Sequence, residues 1–151
     1  MHVVLVEPEI PPNTGSIARL CAATETSLHL VGRLGFTIDD RHLRRAGLDY
    51  WPFVTLHRHD DWAAFTATVP GRCLGFSARA ERSYSEIRFR QDDALVFGGE
   101  TRGLPPALRA ELAPDLYRIP MASAHVRSLN LANAVAIALY EGLRQLGATR
   151  A

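Results

Sequence analysis

Cysteine is scarce, with 2 residues in a chain of 151. Cys21 and Cys73 form no CxxC pair and no zinc-ligand spacing, so neither a disulfide framework nor a structural zinc site is expected. Cys21 lies in an apolar helical run and reads as a small core residue. No apolar run approaches the length that crosses a bilayer. The first residues, MHVVLVEPE, are too short and too acidic for a secretory leader. A cytoplasmic protein with no membrane partner is the default expectation. An excess of one charge is missing too: 17 basic residues face 16 acidic ones, for a net charge of +1. Any nucleic-acid contact must therefore come from a local patch and not from bulk charge.

Several catalytic signatures are also absent. No GxGxxG follows the first strand and no GxxxxGK[ST] occurs, which argues against a nicotinamide oxidoreductase and a P-loop enzyme. Ser128 lacks a nucleophile elbow and an evident His–Asp partner, which argues against a hydrolase. His57 and His59 would point one way on a strand, but no third ligand is evident, so no metal is expected.

What the chain does contain is a regular alternation of strands and helices. It is 47% apolar and 22% charged, which fits one globular domain over residues 1–151. Short apolar runs predict strands at His2–Glu7, Ser27–Val31, Phe53–Leu56, Arg72–Ser77, Ala94–Gly98 and Tyr117–Ile119. Helices are expected after Asn13, over Asp39–Gly47, over Asp60–Val69, and from Pro105 to about Leu112. The polar stretch Ala78–Asp93 reads as a long mobile loop. The last helix is the strongest signal. Leu131, Val135, Leu139 and Leu143 recur every fourth residue, with Ala132, Ala134, Ala136 and Ala138 between them. Ser128 or Asn130 can cap it. This pattern predicts an α/β fold, a mostly parallel sheet flanked by helices.

Three stretches carry candidate chemistry. In FGGETRGLP a strand ends in Gly98 and Gly99, which allow close backbone approach to a ligand. Glu100 and Arg102 sit inside that turn, at a strand end where open α/β sheets bind ligands. In NTGSIAR, Asn13 fits either a helix cap or a site residue. Arg19 fits either a solvated surface position or a clamp on a phosphate or hydroxyl. At the start of the last helix, Ser128, Asn130 and Asn133 offer more hydrogen-bonding capacity than one cap needs. Local basic clusters occur at Arg41, Arg44 and Arg45, and at Arg79, Arg82, Arg88 and Arg90.

Taken together, EPEIPPNTGSIARL, FGGETRGLP and IPM…RSLNLANAVAIALYE closely resemble the SPOUT superfamily of RNA methyltransferases, over essentially the whole chain. Within it the chain is similar to the small single-domain tRNA wobble-nucleotide ribose 2′-O-methyltransferases, a likeness that RRAGLDYW (44–51) shares. The resemblance implies a C-terminal deep trefoil knot and a homodimer with the active site at the subunit interface. It implies S-adenosyl-L-methionine as methyl donor, S-adenosyl-L-homocysteine as product and no metal. The substrate would be the ribose of cytidine or modified uridine at position 34, in leucine tRNAs, with DNA not expected. A 2′-O-methyltransferase of another RNA site and an inactive RNA-binding dimer are the alternatives. Carried over by residue, the cofactor would be held by Phe76, Gly98, Gly99, Glu100, Ile119, Met121, Ser128 and Leu129. Arg19, Asn13, Ser128 and Asn130 would be catalytic. Arg41, Arg44, Arg45 and Arg79 would bind the RNA, and Tyr140 would lie at the dimer contact.

Overall fold

Each central strand is buried on both faces, and alternate residues of one strand enter two different cores. The structure, a computed structural model, describes residues 1–36 and 50–148. Its strands are His2–Val6 (β1), Ser27–Val31 (β2), Leu56–His59 (β3), Cys73–Phe76 (β4), Arg82–Ser83 (β5), Ala94–Gly98 (β6) and Leu116–Arg118 (β7). Its helices are Pro11–Ala23 (α1), Trp62–Thr68 (α2), Pro106–Glu111 (α3) and Leu131–Leu146 (α4). Val3 and Leu5 of β1 pack with Leu28, Leu30, Leu95 and Phe97, beneath Ile17 and Cys21 of α1 and Val135 and Leu139 of α4. Val4 and Val6 point the other way, to Val31, Val96, Phe65 of α2 and Leu108 of α3. Burial on both faces is why these strands read as unbroken apolar runs without alternation.

The sheet order is β3-β2-β1-β6-β4-β7-β5, and every strand pairing is parallel. The expected α/β architecture with a parallel sheet is what the described residues form. No helix among them is long and apolar enough to cross a membrane. Both cysteines are free, and burial pushes the Cys21 thiol up to about 12, so it is an inert core group.

Local chemistry accounts for the elements, including three places that differ from expectation. α1 starts at Pro11, not after Asn13; Pro11 and Pro12 occupy the first turn, where a missing N–H costs nothing. Its N-cap, Ile10, makes no side-chain cap, so Asn13 is free of that duty. Residues Trp51–Phe53 form a 3₁₀ turn and the third strand begins later, at Leu56. The N–H groups of Phe53 and Val54 are spent inside that turn, on the Tyr50 and Trp51 carbonyls, so neither residue can open the strand. The stretch 78–93 is anchored: it holds β5 and a 3₁₀ turn, and it buries Ile87 and Phe89 in the core. Gln145 of α4 fastens it further, donating to the Ile87 carbonyl and accepting from the Phe89 N–H. At the start of α4, Asn130 is the cap; its Oδ1 accepts from the N–H groups of Ala132 and Asn133, and Ser128 lies outside the helix. The expected helix over 39–47 lies outside the described residues.

Phe65 is fully buried and closes the second core, against Trp62 and two histidine rings. Phe65→Ala is expected to destabilise the protein by about 3–5 kcal/mol, from lost burial plus the cavity left behind. Urea unfolding followed by circular dichroism measures this.

Candidate active site

The carboxyl ends of three adjacent parallel strands, β4, β6 and β7, open onto one cavity of about 740 Å³. Phe76 ends β4, Gly98 ends β6 and Ile119 follows β7, and all three line it. Phe76 stacks on Phe97 with ring centroids 4.7 Å apart, making an apolar floor. Met121, Leu129 and Ala134 add apolar wall, while Gly99, Glu100, Ser128, Asn13 and Asn130 add polar groups. Residues that are 117 apart in sequence thus share one space.

Glycine is required where β6 turns. A Cβ at Gly98 would lie 2.0 Å from the Gly103 carbonyl carbon and 2.1 Å from the Leu104 nitrogen. One at Gly99 would lie 2.6 Å from the Glu7 carbonyl oxygen. With both absent, the 99–103 turn closes on itself through the Gly103 N–H and the Gly99 carbonyl, at 2.8 Å.

Glu100 is the mechanical centre of this site. One carboxylate oxygen accepts the Glu9 N–H at 2.8 Å. The other accepts the Ile10 N–H at 3.2 Å and the Asn13 side-chain amide at 3.1 Å. Asn13 Oδ1 then accepts from the Asn130 amide at 2.9 Å, and Asn130 caps α4. The relay Glu100–Asn13–Asn130 fixes the end of β6, the entry to α1 and the start of α4 relative to one another. The acceptor atoms of Glu100 are therefore spent on protein donors, although its side chain lines the cavity.

The polar rim is strongly cationic. Arg79, Arg102, Arg109 and Arg127 all line the cavity, and none of them makes an ion pair within the described residues. No group of three or more His, Cys, Asp or Glu among the described residues is placed to hold a metal ion.

A family model for SpoU rRNA methylases matches residues 1–140. The chain belongs to the SpoU rRNA methylase family. A tRNA (cytidine(34)-2′-O)-methyltransferase from Burkholderia pseudomallei is 49% identical over 150 residues, covering 97% of this chain and 96% of that protein. Its Escherichia coli K12 counterpart is 47% identical over 149 residues, covering 97% and 94%. A solved structure bearing on 2-OH methylation of C/U34 on tRNA superposes with a TM-score of 0.91 at 50% identity, covering 98% of this chain and 97% of that one. The SpoU methyltransferase AviRb from Streptomyces viridochromogenes, crystallised with AdoMet, superposes with a TM-score of 0.80 at 28% identity, covering 99% and 61%. The resemblance to SPOUT RNA methyltransferases therefore holds at the level of family and fold.

Within this family member, all eight residues expected around the cofactor line the one cavity, as do Asn13, Asn130 and Arg79. Arg19 does not. It sits on the exposed side of α1, with its guanidinium 5.5 Å from the centre of the Tyr50 ring. Helix geometry gives the reason: Asn13 and Arg19 are six residues apart, about 9 Å along the axis and on different faces. Arg41, Arg44 and Arg45 lie outside the described residues. Sequence reasoning passed over Arg109 and Arg127 as site residues. Arg127 was visible as the one basic residue of its loop, whereas nothing in the α3 sequence singled out Arg109.

Removing the Glu100 carboxylate strands two backbone N–H groups and the Asn13 amide. Glu100→Ala is expected to cost about 1–3 kcal/mol of stability. Hydrogen exchange should show the loss concentrated at 9–13 and at the first turn of α4, with the β1–β2 pairing unchanged.

Proposed function

We propose that the chain, acting as one domain in a cytoplasmic homodimer, transfers the methyl group of S-adenosyl-L-methionine to the ribose 2′-hydroxyl of the tRNA wobble nucleotide, position 34, in leucine tRNAs. The observation that carries this reading is a near-full-length likeness to tRNA (cytidine(34)-2′-O)-methyltransferases, joined to one cavity with an apolar floor and a rim of arginines that make no ion pair among the described residues. When bound, S-adenosyl-L-methionine supplies a methyl group on a cationic sulfur, which leaves as the neutral thioether of S-adenosyl-L-homocysteine.

The residues fit that molecule. The volume lies in the range of ligand pockets of small molecules. Phe76, Ile119, Met121 and Leu129 suit an adenine ring. The glycine turn brings backbone polar groups to the wall without side chains in the way. Ser128 offers a hydroxyl that has no hydrogen-bond partner among the described residues. Asn13 and Asn130, catalytic if the resemblance alone is followed, spend their amides on each other, on Glu100 and on the cap. They are positioning residues in this reading.

Arg19 remains the candidate for orienting the ribose and stabilising developing oxyanion character. A guanidinium stays protonated near neutrality, so it does not remove the proton itself. Because Arg19 lies off its own cavity, a second copy of the chain would bring it to the neighbouring site. Ile137 and Tyr140 on α4 are large apolar groups, 37% and 48% exposed, that suit such a contact. The RNA phosphates would meet Arg79, Arg102, Arg109 and Arg127. All 17 basic residues of the chain are arginine, whose planar fork pairs with phosphate oxygens bidentately.

The decisive experiment incubates the purified protein with tRNA and S-adenosyl-L-methionine, then reads anticodon and ribosomal RNA fragments by mass spectrometry. One added methyl on the ribose of nucleotide 34 is expected. Methylation confined to ribosomal fragments would overturn the tRNA assignment, and no methylation at all would overturn the transferase. Arg19→Ala is expected to lower turnover by at least 100-fold, the order of loss when an oxyanion-stabilising donor is removed, while calorimetry finds cofactor affinity kept. Tyr140→Asp is expected to shift the protein from dimer to monomer in light scattering, with loss of activity.

A further inference from the structure

Four histidines stand on three adjacent strands, and none of them lines the cavity described above: His2 on β1, His29 on β2, and His57 and His59 on β3. Strand alternation puts them on the sheet face that α2 covers, with Arg58 turned to the other face. His29 is at the centre and is 3% exposed. Its Nε2 lies 3.1 Å from His2 Nδ1, and its Nδ1 lies 3.0 Å from His59 Nε2. His57, the register partner of His29, stacks on it with ring centroids 4.7 Å apart. Phe65 meets both His29 and His59 edge-on, at 5.5 and 5.4 Å.

The proton count of this chain is constrained by geometry. Each nitrogen–nitrogen contact works only if it holds a single proton. Three neutral rings satisfy this when His29 donates to one neighbour and accepts from the other. One added proton is also accommodated, on His29 donating both ways or on either outer ring. A second added proton cannot be placed without setting N–H against N–H in one of the two contacts. It would also put two like charges within one row of three rings.

We propose that His2, His29 and His59 form a proton-operated clasp that holds the edge strand β3 to β2 and β1, admits one proton, and opens with the second. The groups around it set its balance. The N-terminal ammonium and His57 disfavour charge on His2, and Asp92 favours it. α2 contributes no titratable group. Asp61, beyond the end of β3, is occupied in capping α2. Burial lowers all three rings from their ordinary value, His29 to about 3.

A histidine whose folded pKa lies below its unfolded one adds no pH dependence above about 6.5. As the pH falls from there, the unfolded chain takes up protons that the folded one refuses. Stability is then lost progressively toward the folded value of His29. The loss would reach the candidate site. The His59 carbonyl accepts the Gly32 N–H at 3.0 Å, and the Val31 carbonyl accepts the Glu7 N–H at 2.9 Å, just before the segment that Glu100 holds.

The test uses the full chain. Nitrogen-15 shifts of the histidine rings, read from pH 8 to 4.5, are expected to keep His29 neutral to at least pH 5 while one proton enters the chain. The unfolding constant in urea should rise more than tenfold per pH unit below about pH 6, each proton taken up on unfolding contributing roughly tenfold per unit. His29→Gln should flatten that dependence by at least one proton, and His59→Gln, at a more accessible ring, should flatten it as well. Three rings titrating independently near 6.5 would overturn the clasp, a result that the unaltered protein alone can give. Unchanged steepness in either folded variant would overturn it too.

Discussion

One carboxylate holds the working end of this molecule together. Glu100 follows β6, the strand at the middle of the sheet, and it reaches sideways to the backbone of Glu9 and Ile10 and to Asn13. Asn13 passes the constraint to Asn130, and so to the first turn of α4. Hydrogen bonds to an ionised acceptor are among the stronger ones in proteins. The cavity wall is assembled from the strand ends on one side of this relay and the loop before α4 on the other. The glycines at 98 and 99 are the other half of the constraint, since only bare backbone lets the turn come close enough for Glu100 to reach its partners.

The parts of the fold that sequence disclosed are those governed by burial. β1, β2 and β6 are apolar because both their faces are covered, and α4 shows its period because one face packs on the sheet. The Gly98–Gly99 turn and the Ser128–Asn130 segment stood out because their residue types serve packing poorly. Less was legible where a role depends on a distant partner. The stretch Ala78–Asp93 reads as a mobile loop because the core around Ile87 and Phe89, and Gln145 that holds them, lie far off in sequence. Asn13 looked like a cap or a catalyst, and it is a spacer between Glu100 and Asn130. His57 and His59 invited only the question of metal, because their real neighbours, His2 and His29, are 28 or more residues away.

Charge is distributed in the same non-local way. The nearly balanced total hides a cavity rim of four arginines without ionic partners among the described residues. Elsewhere guanidinium groups are tied down, as in Arg72, which donates to both carboxylate oxygens of buried Asp93. The contrast separates arginines that hold the fold from those free to meet something outside it.

The placement of β4 between β6 and β7 has a further consequence. Its neighbours in the sheet are made later along the chain than β4 itself, so no growing fragment that ends before about residue 119 can bring together the three strand ends that line the cavity. Contacts that span such distances close slowly, because the loop entropy is lost before the pairing repays it. Ligand affinity in such a protein arises as a late event of biosynthesis, when the final third of the polypeptide has come off the ribosome.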